Sequence, residues 1–261
     1  MLETTRYETS RRLRGTVILT IGVSLYVSFI VWYFSLVDAS AYAQIAESVP
    51  PAMREAFGIQ TIGTIEGWLG GQIYTFVWLV GLGIYFAYSA AGKIASDIEN
   101  DRMDLLLSFP VSRSQLLLEK FASMVLPLIL LNVVVGGVTY GLVLSIGETI
   151  DPMHLVLAHL LSIPYLLVCA AIGTVLSVLV NRAAVAERAA IGLMFVLWLV
   201  ESAVGAAEEF SWIQYISPTH YYSPTPVLID GTYEVMDAGV LLAGFLGLLI
   251  VSQVLFRRRD I

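Results

Sequence analysis

Residues 96–120, SDIENDRMDLLLSFPVSRSQLLLEK, place eight charged side chains between two long apolar runs. The run before them, 68–92, and the run after them, 121–146, contain no charged residue. A stretch of about 20 apolar residues is long enough to cross the hydrocarbon core of a bilayer as a helix. The pattern therefore predicts two membrane-spanning helices joined by a charged connection.

The rest of the chain has the same character. Its mean hydropathy is +0.80 and 13% of its residues are charged, against about a quarter in soluble proteins. Six runs are long and apolar enough to span a bilayer: 15–37, 68–92, 121–146, 155–180, 189–207 and 238–256. These runs lack the alternation of a membrane barrel, so we predict an all-α integral membrane protein. Because little chain remains outside them, residues 1–261 are predicted to form a single membrane domain.

The basic residues indicate the orientation. Thirteen of the fourteen lie at the N-terminus, in the second or fourth connection, or after the last span, and Arg54 is the exception. With six spans, all thirteen lie on one side of the membrane. Because basic residues concentrate on the cytoplasmic side, we predict a multi-pass protein of the cell membrane with both termini in the cytoplasm.

Two long outer connections carry amphipathic or aromatic sequence. Residues 38–67 contain Pro50 and Pro51 at the start of a predicted short helix, and residues 208–237 are rich in Trp, Tyr and Pro. Aromatic side chains of this kind favour the membrane–water interface. We predict interfacial or re-entrant segments that shape an outer vestibule. Simple packing caps on the helix bundle are an equally good interpretation.

The charged connection itself predicts a short helix, a turn and a second helix. Acidic and apolar side chains recur on different sides of the first helix: Asp97, Asp101 and Asp104 against Met103, Leu106 and Leu107. Pro110 ends it, and Ser112 with Gln115 forms a capping-box pattern that begins the next helix. Because acidic residues disfavour anionic lipid headgroups, we expect this helix to contact a soluble protein.

Residues 99–120, ENDRMDLLLSFPVSRSQLLLEK, resemble the signature of ABC-2 type transporter permeases, E-x-G-T-L-E-x-L-L-S-x-P-V-S-R followed by Lys after six residues. Asp101 and Arg102 stand where that family often has Gly-Thr. The similarity extends to the six spans, to SPTHYYSP before the last span and to the terminal RRRDI. A narrower similarity is to the branch that includes the permease for nitrous-oxide reductase maturation. The acid-rich, lysine-poor composition is haloarchaeal-like.

The resemblance implies a permease that pairs as a homo- or heterodimer and binds ABC ATP-binding subunits on the cytoplasmic face. It implies that the charged connection is a coupling helix seated on the ATPase, with these contact residues: Glu99, Asp101, Arg102, Asp104, Leu105, Pro110 and Arg113. It also implies that RYETSRRLRG, residues 6–15, is an amphipathic elbow helix on the inner leaflet.

The sequence independently indicates that ATP is handled elsewhere. It contains no G-x-x-x-x-G-K-[ST] loop to hold phosphates, so any ATP-Mg must bind to a partner subunit. No catalytic motif and no metal-ligand spacing occurs, and we expect no cofactor and no enzymatic activity in this chain. The net charge of −7 argues against a nucleic-acid partner.

Three polar residues within the predicted spans are candidates for a pathway. An acidic residue inside a membrane is a functional candidate by default, and Glu201 is one. We hypothesise that Glu201 and His159 pair or line the outer half of a pathway, whereas the alternative is a solvated Glu201 and a helix-capping His159. Asn132 is a further candidate, or else an interhelical hydrogen-bonding residue. Gly136, Gly137 and Gly141 predict close helix packing.

The sequence therefore favours a permease subunit of an ABC transporter that couples ATP hydrolysis by a separate chain to substrate movement, with export expected. One alternative is an integral-membrane enzyme with an outer site formed by Glu201, His159 and His220. Another is a non-transporting subunit that transmits motion of the ATPase to an outer protein. Substrate flux separates this last alternative from the first interpretation.

Overall fold

The structure, a computed structural model, describes residues 3–36, 48–50, 63–108, 111–204 and 208–259. These residues form helices and turns and contain no strand. The helices are α1 (Glu3–Leu36), α2 (Ile65–Glu99), α3 (Met103–Leu107), α4 (Arg113–Ala122), α5 (Val125–Ser145), α6 (Pro152–Leu179), α7 (Ala183–Val204), α8 (Pro224–Asp230) and α9 (Val235–Arg258). Short 3₁₀ segments occupy Glu208–Ile216 and Pro218–Tyr221.

Six helical stretches of the described chain are long and apolar enough to cross a membrane, which confirms the predicted number and the all-α class. They are Leu13–Leu36, Ile65–Glu99, Arg113–Ser145, Pro152–Leu179, Ala183–Ser202 and Val235–Arg258. Each overlaps one predicted run. The second is longer than predicted because its charged end, residues 93–99, continues the helix beyond the apolar run.

The N-terminal segment differs from the predicted elbow helix. Residues 6–15 and the first span belong to one continuous helix, α1, rather than to two. No proline lies at the junction, and a single glycine such as Gly15 destabilises a helix by only about 1 kcal/mol. The predicted separate elbow is therefore wrong for this structure.

The core is built around α6, which packs against α2, α5, α7, α8 and α9. Its most extensive partner is the second half of α2, where the two backbones come very close. A Cβ atom added to Gly173 of α6 would lie 2.0 Å from the carbonyl oxygen of Ala87. One turn further, Ser177 Oγ accepts from the backbone N–H groups of Ile94 and Ala95 at 2.8 and 3.1 Å. Small side chains therefore set the spacing of this helix pair.

The first half of α2 is wound as a π-helix from Gly70 to Leu82, an unusual length for this winding. Side chains also bond to its backbone carbonyls. Thr75 Oγ1 donates to the Gly70 carbonyl at 2.9 Å, and the Tyr165 hydroxyl of α6 donates to the Leu79 carbonyl at 2.7 Å. The π segment is therefore joined to α6 by a side-chain hydrogen bond to its backbone.

The predicted outer segment 208–237 forms short helices that pack back on α6. The Tyr222 hydroxyl donates to the Ala158 carbonyl at 2.8 Å, and His154 Nδ1 lies 3.3 Å from the Leu228 carbonyl oxygen. Large side chains nearby remain exposed, as expected at a membrane interface: Trp212, Tyr215 and Ile216. The contacts with α6 thus support the packing role, and the interfacial role stays a prediction. The short helix predicted after Pro50 lies outside the described residues.

Candidate functional site at the basic end

The charged connection, the turn between α6 and α7, and the end of α9 lie together at one end of the bundle, here called the basic end. Glu99 Oε2, at the end of α2, accepts from the Ala183 backbone N–H at the start of α7 at 2.9 Å. The Arg259 guanidinium donates to Asn181 Oδ1 in the same turn. The second connection, the fourth connection and the C-terminal segment are therefore neighbours, as the distribution of basic residues requires.

The connection begins with a tight turn that ends α2. The Arg102 N–H donates to the Asp97 carbonyl at 2.9 Å and the Asp101 N–H to the Ile98 carbonyl at 3.2 Å, the two bonds of a Schellman motif. Asp101 occupies its left-handed position with a φ of 53°, where glycine is usual. The Gly of the resembled signature falls on this residue.

A buried ion cluster joins this turn to α4. Asp97 forms ion pairs with Arg102, at 3.3 Å, and with Lys120. Asp97 and Lys120 are only 7% and 4% exposed. Removing one member of such a buried pair leaves an uncompensated charge, which is strongly destabilising. The cluster therefore fixes the charged connection relative to both helices that flank it.

Helix α3 has one buried and one exposed side. Met103 is 1% exposed, while Leu106 and Leu107 are half-buried and pack against the core. Asp104 is exposed, and Leu105 is 65% exposed. The predicted apolar side is present, but the predicted acidic side is not. Asp97 lies buried in α2 and Asp101 lies in the turn, so Asp104 is the one predicted acidic residue within α3, where Leu105 adds an apolar side chain to the outward side. The exposed Asp104 and Leu105 form the candidate docking surface.

The second helix of the connection begins as predicted. Ser112 Oγ accepts from the Gln115 N–H at 3.1 Å and caps α4. The Gln115 side chain donates forward to Glu119 at 2.9 Å, so its interaction differs from that of a complete capping box. Arg113 donates to the Phe256 carbonyl at 3.4 Å. Pro110 lies outside the described residues.

A second polar cluster, the histidine network, lies inside the bundle. Asn132 Nδ2 donates to the Leu128 carbonyl at 2.9 Å, which turns Oδ1 toward His159 Nδ1, 3.1 Å away. His159 Nδ1 therefore carries the proton, and Nε2 accepts from the Tyr74 hydroxyl at 2.9 Å. Ser162 Oγ lies 2.8 Å from the same Asn132 oxygen. Both nitrogens of the ring are thus bonded.

Trp78 completes the network by donating from Nε1 to Ser162 Oγ at 3.0 Å. All five members are at most 6% exposed: Tyr74, Trp78, Asn132, His159 and Ser162. Of these five residues, only Asn132 and His159 were predicted from the sequence. Tyr74 and Trp78 were missed because an aromatic residue in an apolar run gives no indication of whether its polar atom meets a partner.

The structure brings Asn132 and His159 together, and it places Glu201 half-buried near the end of α7. Because both nitrogens of His159 are bonded to Tyr74 and Asn132, pairing with Glu201 would require the network to rearrange. The pathway role of the three residues stays a prediction. Within the described residues, no group of three or more His, Cys, Asp or Glu is placed to hold a metal ion.

Comparison with known proteins extends over nearly the whole chain. The family described as "ABC-2 family transporter protein" matches residues 6–261. A relative from Bacillus subtilis strain 168, "Uncharacterized protein YhcI", is 27% identical over 203 residues, which is 69% of this chain. The matched region spans 64% of the length of that relative.

Proposed function

We propose, because this chain belongs to the ABC-2 family of transporter proteins, that it is the membrane permease subunit of an ABC transporter. A separate ATP-binding subunit supplies the energy and binds ATP-Mg. The six membrane-spanning helices place the chain in a membrane. In this proposal the basic end faces the cytoplasm, and the membrane is the cell membrane.

The observation that carries the proposal is the exposed side of α3. Leu105, which is 65% exposed, and the exposed Asp104 offer a partner one apolar and one charged contact at the position of the resembled coupling helix. Met103 and the Asp97 ion cluster hold this helix against the bundle. Force applied to Leu105 and Asp104 by a docked ATPase therefore reaches α2 and α4 directly.

Three finer features belong to the same proposal. The permease works with a second copy or a related chain, as members of this family generally do. It moves its substrate outward. The chain is a member of the narrower branch that includes the permease for nitrous-oxide reductase maturation.

Co-purification of the ATPase subunit tests the proposal. Tagged wild-type chain and a Leu105→Asp variant are extracted from their native membrane in mild detergent, and the chains that accompany them are identified by mass spectrometry. Leu105→Asp is preferable to a change at Glu99, because Glu99 bonds the start of α7 and its loss would disturb the fold. Val235→Asp, at an 80% exposed position at the start of α9, is the matched control.

We expect an ABC ATP-binding subunit with the wild type and with Val235→Asp. Introducing a charge at the centre of a docking surface commonly weakens binding by about 2 kcal/mol or more. Leu105→Asp should therefore bind the ATP-binding subunit roughly thirtyfold more weakly than the wild type does. Equal recovery of the ATP-binding subunit with Leu105→Asp and with the wild type would show that α3 is not the docking surface. Absence of any ATP-binding subunit from the wild-type sample would remove the proposed function.

A further inference from the structure

Three arginines link separate helices at the basic end. Arg113, at the start of α4, donates to the carbonyls of Phe256, at 3.4 Å, and Arg259 at the end of α9. In the opposite direction, Arg257 Nε of α9 donates to Ser114 Oγ of α4 at 2.6 Å. These residues are 143 and 146 positions apart in the chain. We call Arg113, Arg257 and Arg259 the arginine clamp.

Arg259 extends the clamp to a third element. Its guanidinium donates from one nitrogen to the Val178 carbonyl and from the other to Asn181 Oδ1. Val178 lies in the last turn of α6, where carbonyls have no partner within the helix. Partial burial lowers the pKa of Arg259 from its ordinary value, but a guanidinium remains charged in proteins. The planar fork of arginine suits two such acceptors at once, and lysine has no equivalent geometry.

A basic residue can orient the protein in the membrane without making these contacts. A basic side chain in water on the cytoplasmic side serves orientation equally well, and the neighbouring Arg258 is exposed. The clamp arginines instead direct their donors at backbone carbonyls and side chains of other helices. Charge and geometry can therefore be separated experimentally within one run of three arginines.

Helix α9 depends on such contacts at this end. Few of its side chains are buried, Leu241, Leu249, Ser252 and Phe256 among them. Most of its surface is apolar and exposed, which in a bilayer means contact with lipid. Because lipid tails are as apolar as the helix surface, burial supplies little force to hold one helix against another. Directional hydrogen bonds to α4 and α6 therefore set the position of the end of α9.

We propose that the arginine clamp makes the start of α4, the end of α9 and the turn between α6 and α7 move as one body. Helix α4 follows the docking helix α3 within a few residues, and α6 is the central helix of the bundle. A displacement of α3 therefore reaches α6 through the clamp as well as through the Asp97 ion cluster. This role in transmission rests on the proposed function, whereas the mechanical linkage itself does not.

The linkage is tested by measuring the distance between two spin labels. One label is placed at Leu118→Cys on α4 and the other at Arg182→Cys in the turn between α6 and α7, both exposed positions. The only native cysteine is buried and is changed by Cys169→Ser. Labelled chains are diluted with unlabelled ones, so that distances within one chain dominate. The variants are Arg259→Ala, Arg259→Lys and Ser114→Ala, with Arg258→Ala as the control of equal charge.

We expect one narrow distance distribution for the parent and for Arg258→Ala. Arg259→Ala should broaden it about twofold, because segments that lose directional contacts fluctuate independently. Arg259→Lys should be intermediate, and Ser114→Ala should broaden the distribution even if Arg259→Ala folds poorly. Equal widths in the clamp variants and in Arg258→Ala would overturn the proposal.

A second readout separates transmission from mere stability. In the complex with its ATPase subunit, a fluorophore at Arg182→Cys is followed after addition of ATP and vanadate. Arg259→Ala should reduce the change in fluorescence on addition of ATP and vanadate about fivefold, which is the lower end of typical allosteric coupling. The ATPase subunit should still co-purify with this variant. A full response would overturn the transmission role. If the parent recovers no ATPase subunit, the proposed function fails, and the distance distributions still decide the linkage.

Discussion

Single residues at the basic end hold conformations that the surrounding chain must enforce. Asp101 is the clearest, because its φ of 53° is the only positive value among the described non-glycine residues. Its neighbours Arg102 and Asp97 form an ion pair at the place where a Schellman motif usually has an apolar contact. The resembled signature has glycine at this position, which adopts a positive φ without steric strain. This chain has aspartate, which is strained there but tolerates the left-handed region better than most residues.

Asp101→Gly should therefore be at least as stable as the parent, and Asp101→Ala should be less stable than Asp101→Gly by about 1 kcal/mol. Unfolding by increasing SDS in mixed micelles, followed by tryptophan fluorescence, measures both. Asn100→Ala, at an exposed position with a negative φ of −103°, is the control. Equal stability of the Ala and Gly variants would show that position 101 is not left-handed.

The histidine network makes a second prediction at this scale. Asn132→Leu removes the acceptor shared by His159 Nδ1 and Ser162 Oγ. Hydrogen bonds between membrane helices contribute about 0.6 kcal/mol on average and up to about 1.7, so we expect a loss of about 1–2 kcal/mol. Ser162→Ala should then cost less in the Asn132→Leu background than alone. Strict additivity of the two changes in a double-mutant cycle would contradict the network.

Among the elements, the pair formed by α2 and α6 is the most constrained. Gly173 lies against the Ala87 backbone, so any side chain there must displace a helix. Gly173→Ala should destabilise the protein by about 2–3 kcal/mol, as overpacking of a filled interior does. The measurement is the same SDS unfolding, together with the yield of monodisperse protein.

Gly137→Ala is the control for this element. No atom lies within 4 Å of a Cβ built on Gly137, and alanine is a better helix former than glycine by about 1 kcal/mol. The control should therefore be neutral or slightly stabilising. If Gly173→Ala behaved like Gly137→Ala, the close approach of α2 and α6 would be wrong.

The glycines also show how far sequence reasoning extends. Apolar run length predicts how many helices cross the membrane, because the bilayer dictates that length. It does not predict which side of a helix meets another helix, because both sides are apolar. Gly136, Gly137 and Gly141 were predicted to pack closely, yet only Gly136 does, against His159. For the same reason, the sequence does not predict the close packing of Gly173 or the hydrogen bonds of Tyr74 and Trp78.

The charged connection was more informative than the spans, because its polar atoms need partners. The Ser112 cap and the apolar side of α3 were predictable from local chemistry, whereas the continuation of α2 to Glu99 and the burial of Asp97 were not. Long-range partners were not, since nothing in Glu99 indicates Ala183, and nothing in Arg113 indicates Phe256. Residues expected to touch an ATPase thus prove to make internal contacts as well, and Leu105 is the clearest outward-facing member of that set.

At the scale of the whole molecule, the two ends of the bundle differ in construction. The opposite end carries short helices and exposed aromatic residues that cover α6, whereas the basic end is joined by ion pairs and arginine hydrogen bonds. Apolar contacts through the membrane connect the two ends. A motor attached at α3 would therefore act on an end that moves as a unit, and the central helix α6 would carry the motion across the membrane.

Site-specific photo-crosslinking directly tests whether an ABC ATP-binding subunit docks at α3. A photoreactive amino acid replaces Leu105 in the native membrane, and a matched one replaces Leu144, an exposed leucine at the far end of α5. After irradiation, the crosslinked chains are identified by mass spectrometry. We expect an adduct between position 105 and an ABC ATP-binding subunit, and none from position 144. Absence of that adduct at position 105, in a membrane where the subunit is present, would contradict the central claim.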